Sequence, residues 1–244
     1  MYSLINRANI AVSEINKMQN VSEEFKKNAL GECYFLKAWA YFYLVRAYGA
    51  IPIYSVSVNE SGQYTNNPRI PIAQVYTETI IPLLKDAKDM IYKNTDNGFK
   101  PGRVCAATAA GLLAKVYATI GSASMSTGEQ ITVKTGAPFV MQNVNGTMTK
   151  VYTEPVPTTF SKDQVAGYES SSQEYYRLAY EVAGDVIGGE YGTHKLEDYD
   201  LIWSPSGKTC SEHLFGLQTK SGDELYGTLF SSHYCGRLNA AGNI

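Results

Sequence analysis

A chain of 244 residues can hold one large domain or two small ones, and apolar and charged contents of 44% and 18% are those of a folded protein rather than a disordered one. The net charge of −2 gives no case for nucleic acid, whose binding needs a basic face. No stretch approaches the ~20 apolar residues that cross a membrane as a helix, and residues 1–18 lack the basic start and unbroken apolar run of a signal peptide.

Residues 2–19 read as a helix, with Leu4, Ile5, Ala8, Ala11, Val12, Ile15 and Met18 in one stripe. Met1 leads straight into that pattern, which carries the expectation that residues precede it. Ser22 before Glu23 and Glu24 is an N-cap arrangement, since a hydroxyl accepts from an orphan N–H and the helix dipole favours the carboxylates. The helix it starts runs to about Tyr48. Ala29, Cys33, Leu36, Ala40, Tyr43 and Ala47 share one face, and Phe35, Trp39 and Phe42 another, so it is apolar nearly all round and expected among neighbours. Gly49 ends it and Pro52 prevents its return.

Residues 53–71 form a polar connection. A third helix is expected over about 73–92, with Tyr76, Ile80, Leu83, Leu84, Ala87 and Ile91 in register; Pro82 inside it kinks it or marks a restart. Asn97-Gly98 and Pro101-Gly102 punctuate the next turn. A fourth helix covers about 104–120, its alanines and Gly111 allowing a partner helix close. From 121 to 170 the helical periodicity disappears, and Ile131-Thr132-Val133 and Lys150-Val151-Tyr152 suggest one or two β-hairpins in a loop-rich insertion. A fifth helix, about 172–188, has Tyr176, Ala179, Tyr180, Ala183 and Ile187 in register and stops at Gly188-Gly189. The rest, with Tyr199, Trp203, Leu214, Phe215 and Leu217, reads as coil and short strand. The expected class is mainly α: helical hairpins packed into a superhelix with a β-hairpin insertion and an irregular C-terminal segment. The Ala/Gly and aromatic alternation in 106–117 and 176–191 resembles degenerate tetratricopeptide units, which bury their faces by stacking on the next pair.

The sequence selects no chemistry. His194, His213 and His233 have no metal-ligand spacing. No Gly-x-Ser-x-Gly elbow or catalytic cysteine signature occurs. The pairs Glu23–Glu24 and Glu197–Asp198 suit exposed turns, and Gly188-Gly189 follows a helix rather than a strand, so it is a cap and not a phosphate loop. No catalytic residue, metal or cofactor is assigned. Cys33 and Cys105 read as small apolar fillers, whereas Cys210 and Cys235 lie in the loop-rich end and can pair in an oxidising compartment, a connectivity that spacing does not decide. Tyrosine is the outlier, 19 against 8 Phe and 2 Trp. Its flat ring and polar tip suit half-wet surfaces and sugar-facing grooves, besides the packing between helices.

The run from Gly31 to Pro52 resembles the hallmark segment of the SusD/RagB family through Gly31, Glu32, Phe35, Leu36, Ala38, Tyr41, Phe42, Leu44, Val45, Tyr48, Gly49 and Pro52. Lys37 stands for the usual Arg and Ala50 for the usual Asp. Arg69 with Val75-Tyr76, Gly102-Arg103 with Leu112 to Tyr117, Tyr176 to Ile187 with Tyr191 and Tyr199, and Glu212, Phe215 and Gln218 resemble later blocks. Pro82 departs from the pattern, and the third helix has one residue more between its Tyr and its Ala. Family members are longer, so the resemblance implies a single SusD-like helical domain, 1–244, that is a central fragment without the lipidated N-terminal Cys and the C-terminal part.

The resemblance implies a non-catalytic, surface-exposed lipoprotein of the outer membrane that binds oligosaccharide, or sometimes peptide, and delivers it to a TonB-dependent, SusC-like transporter. A shallow sugar site uses aromatic faces and planar hydrogen-bonding groups. Candidates for ligand contact are Tyr64, Asn66 and Asn67 in the first connection, Tyr152 in the insertion, and Trp203, which also matches a position of packed Phe. Two alternatives remain: a tetratricopeptide-like scaffold that binds proteins or peptides, and an enzyme of glycan breakdown. Taken alone, the fragment would expose the apolar 24–48 helix and is expected to aggregate.

Overall fold

The computed structural model describes residues 1–61, 67–136 and 139–216. Five long helices follow one another, and each packs on the next, so the fold is mainly α and built from antiparallel helix pairs. Helix α1 is Tyr2–Lys17 and α2 is Glu23–Tyr48. The Ser22 hydroxyl accepts from the Phe25 N–H at 3.1 Å, with Glu23 and Glu24 in the first turn. Gly49 closes the helix at φ 72°, a left-handed backbone that favours glycine. α2 is not covered all round: Phe35, Ala38, Tyr41, Phe42, Leu44 and Val45 are buried, while Tyr43 and Tyr48 stand 49% and 65% exposed. Its helical neighbours, with Phe215 of the C-terminal segment on Phe35 and Trp39, leave the side that carries Tyr43 and Tyr48 to solvent.

Helix α3 is a composite of Ile72–Gln74, a π-helical stretch Val75–Ile80, and Ile81–Met90. Pro82 lies in the first turn of the last piece. It has no N–H to give to the carbonyl four residues back, and the wider i→i+5 turns ahead of it absorb the missing bond and the extra residue seen in the sequence. The helix therefore neither breaks nor loses its face: Tyr76, Ile80, Leu84 and Ala87 are all buried.

Helix α4, Ala106–Ala123, lines the middle of the core with Ala107, Ala109, Ala110, Leu113, Val116 and Ile120. A Cβ on Gly111 would meet Leu214 Cδ1 at 3.1 Å, so this glycine admits a loop residue rather than a helix; it is Gly121 that lies against helix α5, where an added Cβ would meet the Tyr176 ring at 3.1 Å. Helix α5, Ser172–Ile187, is capped by Ser171, whose hydroxyl accepts from the Glu174 N–H. Its buried face is Tyr175 and Ala179, whereas Tyr176, Tyr180 and Ile187, expected in the core stripe, are 43%, 80% and 85% exposed. Tyrosine counts as apolar in a periodicity but tolerates water, so of the expected stripe only Ala179 is buried.

Between α4 and α5 a nested ribbon projects. β1 (Gln130–Thr135) pairs antiparallel with β4 (Val156–Ser161), and β2 (Phe139–Val144) with β3 (Thr147–Tyr152). Asn145 (φ 52°) and Gly146 (φ 85°) turn the inner hairpin, the Asn-Gly signature of a type I′ turn. No ribbon residue among those described is fully buried. After α5 come one helical turn, α6 (Tyr199–Ile202), and a 3₁₀ turn (Pro205–Gly207); between Gly188 and Gly216 no strand forms.

The recognisable blocks meet in space. A Cβ on Gly31 would lie 2.8 Å from Ile91 Cγ1, so glycine lets α2 approach the end of α3. Glu32 binds Arg103 through two nitrogens of the guanidinium, and Asn28 bridges Glu32 to the Tyr92 N–H. Arg69 donates to the carbonyls of Tyr48 and Ala50 at 2.7 and 2.6 Å, satisfying the open end of α2. The Tyr41 hydroxyl donates to the Tyr54 carbonyl and accepts from the Tyr54 N–H. Burial beside Tyr168 pushes the Tyr76 phenol up to about 12, which keeps it a neutral packing group. These residues are scaffold.

Candidate functional site

The sequence candidates fall in different places. Tyr64 and Asn66 lie outside the described residues. Asn67 donates from Nδ2 to the Ile53 carbonyl at 2.7 Å and so braces the first connection. Tyr152 ends β3, 79% exposed, with its ring edge-to-face on Phe139 at 6.3 Å, and Lys150 reaches over the other ring of that pair. Trp203 directly follows α6 and is 71% exposed, not packed as the Phe-like position suggested. Tyr199, 73% exposed and four residues earlier, meets it edge-to-face at 6.2 Å. Residues four apart on a helical turn share a face, which is the signal by which the sequence could have paired them.

The turn that carries this aromatic pair is tightly made. The Asp198 carboxylate accepts from the Asp200 N–H and opens α6. The Ser204 hydroxyl donates to the Leu201 carbonyl at 2.8 Å and accepts from the Gly207 N–H at 3.1 Å. A Cβ on Gly207 would fall 1.9 Å from the Leu201 oxygen, so only glycine fits there. His213 bonds through Nε2 to the Ile202 carbonyl at 3.0 Å, tying the residue before Trp203 to the following segment. Two large rings are thus held in water on a braced turn, an arrangement that hydrophobic burial alone does not favour.

Beside this turn lies a cavity of about 220 Å³ between the 94–105 loop and the 194–216 segment. Arg103, His194, Lys208, Thr209, Ser211 and His213 are among its walls. The far wall is anchored by Phe215, which sits edge-to-face on Phe35 and Trp39 at 5.2 and 5.9 Å, and by the Thr108 hydroxyl, which donates to the Leu214 carbonyl. His194 Nδ1 lies 2.8 Å from the Ser211 carbonyl and therefore carries the proton there; Nε2 faces the Cys105 sulfur at 3.9 Å. Glu197 accepts from the Ser211 hydroxyl at 2.8 Å, which together with Lys195 holds its carboxyl below the usual range. Cys33 and Cys105 are buried and Cys210 is half-buried, all free thiols; Cys235 lies outside the described residues. Among the described residues no group of three or more His, Cys, Asp or Glu could hold a metal, and no helix is long and apolar enough to cross a membrane. What the site offers is ring faces and hydrogen-bond donors, the means of recognition.

Residues 1–118 match the model of a SusD-like family described as starch-binding and associating with the outer membrane. The chain is 31% identical over 202 residues to SusD-like protein P2 of Formosa agariphila, covering 78% of this chain and 38% of that protein. The chain thus spans less than half the length of the curated relatives it matches. A SusD superfamily protein from Parabacteroides distasonis has the same fold with TM-score 0.61 at 22% identity, over 91% of this chain and 37% of that one. A structure determined with a xylogluco-oligosaccharide superposes with TM-score 0.66 at 21% identity, over 95% of this chain and 37% of its own.

Proposed function

The chain belongs to the SusD/RagB family, and we propose that it captures oligosaccharide on the Tyr199–Trp203 pair at the cell surface and passes it, unbroken, to a TonB-dependent, SusC-like outer-membrane transporter. Lipid anchorage in the outer membrane is part of the same proposal. The observation that carries it is the aromatic pair, more than two thirds exposed yet fixed by a capped and glycine-closed turn. Pyranose rings have apolar faces, and stacking them on a preformed ring costs little ordering. The family description as starch-binding and the oligosaccharide in one relative's structure support a glycan as the ligand. Tyr152, Asn67, and Tyr64 and Asn66 in the same connection, remain proposed further contacts.

The test is calorimetry with malto- and xylogluco-oligosaccharides among a glycan panel. Trp203→Ala should weaken the best ligand about tenfold or more, which corresponds to about 1.4 kcal/mol per factor of ten. Full affinity in both Trp203→Ala and Tyr199→Ala would refute the assigned surface. A second reading, a scaffold for protein or peptide partners, is favoured by the outward stripe of Tyr176, Tyr180 and Ile187 on α5. It predicts that no glycan binds and that Tyr180→Ala abolishes capture of a peptide instead.

A further inference from the structure

A cleft of about 340 Å³ opens where the first turn of α2, the end of α3 and the loop after α5 meet. Small-ligand clefts span about 300–1,000 Å³. No described residue lines both this cleft and the cavity beside Trp203. Tyr92 and Tyr191 line it, with Glu24, Lys27, Lys93 and Glu190 among the charged groups around them.

Both tyrosines are half-buried and held by distant parts of the chain. The Tyr92 N–H donates to Asn28 Oδ1 at 2.8 Å, and the Tyr92 carbonyl accepts from the Ala106 N–H at 2.9 Å. A Cβ on Gly98 would meet the Tyr92 ring at 2.6 Å, so glycine lets the turn lie against that ring. The Lys88 ammonium, paired with Asp89 at 2.6 Å, sits 5.3 Å from the centroid of the Tyr191 ring. One side chain ties the two walls together: Asn94 donates to the Thr193 carbonyl at 2.6 Å and accepts from the Thr193 N–H at 2.9 Å. Gly192, at φ 113°, makes room for that amide, since a Cβ there would collide with Asn94 Oδ1. The two tyrosines are therefore preset on elements that the Asn94 amide locks to each other.

We infer that this cleft is a second glycan site, one for a neutral oligosaccharide, separate from the Tyr199–Trp203 platform. It shares with the reading above only the premise that the ligand is a glycan. The charges decide the class. Glu24 and Glu190 meet an anion with its own sign, and Lys27 and Lys93 do the same to a cation. Sugar hydroxyls both donate and accept, so they bond to carboxylates and ammonium groups alike. The apolar faces of pyranose rings match tyrosine rings, and preset walls cost little ordering on binding.

Calorimetry on the full chain carrying both Tyr199→Ala and Trp203→Ala isolates the second site. That platform variant should still bind a neutral malto- or xylogluco-oligosaccharide, or another neutral member of the glycan panel. Adding Tyr191→Ala should weaken the remaining binding about tenfold or more. Adding Glu190→Ala instead, at an exposed position where folding is not at stake, should weaken it about threefold. The affinity should change about twofold at most between about 50 and 500 mM salt, because the ligand carries no charge to screen. An oligogalacturonate that binds the platform variant more tightly than the neutral probe overturns the inference. So does residual binding indifferent to both Tyr191→Ala and Glu190→Ala, or no neutral glycan bound by the platform variant of a parent that binds glycan; each leaves the platform intact. Binding that Tyr191→Ala removes from the parent and that the platform variant keeps in full upholds the inference and overturns the platform. A parent that binds no glycan overturns both.

Discussion

Gly31→Ala sets two opposed effects against each other. An alanine inside a helix is better than glycine by about 1 kcal/mol. Here the added methyl would lie 2.8 Å from Ile91 Cγ1, 2.9 Å from Met90 Cβ and 3.2 Å from the Ile91 backbone nitrogen. Cβ and backbone atoms are not the far end of a side chain, so relief requires α2 and the end of α3 to move apart. Overpacking of this kind costs about 1–3 kcal/mol, and three simultaneous contacts argue for the upper half. The net is a loss of about 1–2 kcal/mol, or roughly 3–6 °C in Tm for a chain of this length. Gly184→Ala is the control: it sits in α5 with nothing within 4 Å of its added Cβ, so only the propensity gain remains. That variant should gain about 0.5–1 kcal/mol. Urea and thermal unfolding of both variants beside the parent decide the matter. If Gly31→Ala is as stable as the parent, or if both variants move in the same direction, close approach is not why glycine occupies position 31.

Three further changes probe the links between blocks. Tyr41→Phe strips the Tyr54 N–H and carbonyl of the phenol that serves both, and should cost about 1–3 kcal/mol in urea unfolding with little change in the far-ultraviolet dichroism. Asn28→Ala removes the bonds at 2.9 Å to Glu32 and 2.8 Å from the Tyr92 N–H, at a cost of about 2 kcal/mol; Asn28→Asp should not restore both, since a carboxylate cannot donate to Glu32. The Ser13 hydroxyl, ahead of the Ser57 N–H, holds the Glu60 carboxyl below its ordinary value. A depressed carboxylate contributes stability that is present above its unfolded pKa and lost as pH falls through the folded one. Ser13→Ala should therefore be less stable than the parent at pH 7, and the gap in urea midpoint should close on acidification below the carboxylate range; a gap that persists at low pH would sink this assignment.

The elements that the sequence made legible are those whose signals are local. Ser22, Gly49 and Gly188 act within a turn of where they stand, and all three mark real helix ends. The one-residue excess near Pro82 was legible as an anomaly, and its resolution as a π-helical stretch follows from backbone bonding alone. What failed depended on partners far along the chain. Asn9 is buried because Tyr54 and Val56, some 45 residues on, present carbonyls to its amide. Which side of α5 is buried was set by Gly121 receiving Tyr176 at its edge and by Tyr117 stacking on Tyr175, not by the periodicity of α5 itself.

The two tryptophans show why scaffold and proposed site differ in legibility. Trp39 stands in a long helix with Phe215 of a distant loop on its ring, and a periodic apolar pattern announces that such a partner is needed. Trp203 stands in a four-residue turn where periodicity has too few residues to speak, and its only aromatic neighbour among the described residues is another exposed ring. Burying a large ring is favourable by about 1.5–3 kcal/mol, so a turn that forgoes this and is still fastened by Asp198, Ser204, Gly207 and His213 has its stability supplied by hydrogen bonds. The ring is then free to change freely without unfolding the turn. On this reasoning Trp203→Tyr and Trp203→Phe should fold as well as the parent and shift only ligand preference, whereas Gly207→Ala should disturb the turn and lose binding to every ligand at once, a contrast that side-by-side calorimetry and thermal unfolding would expose.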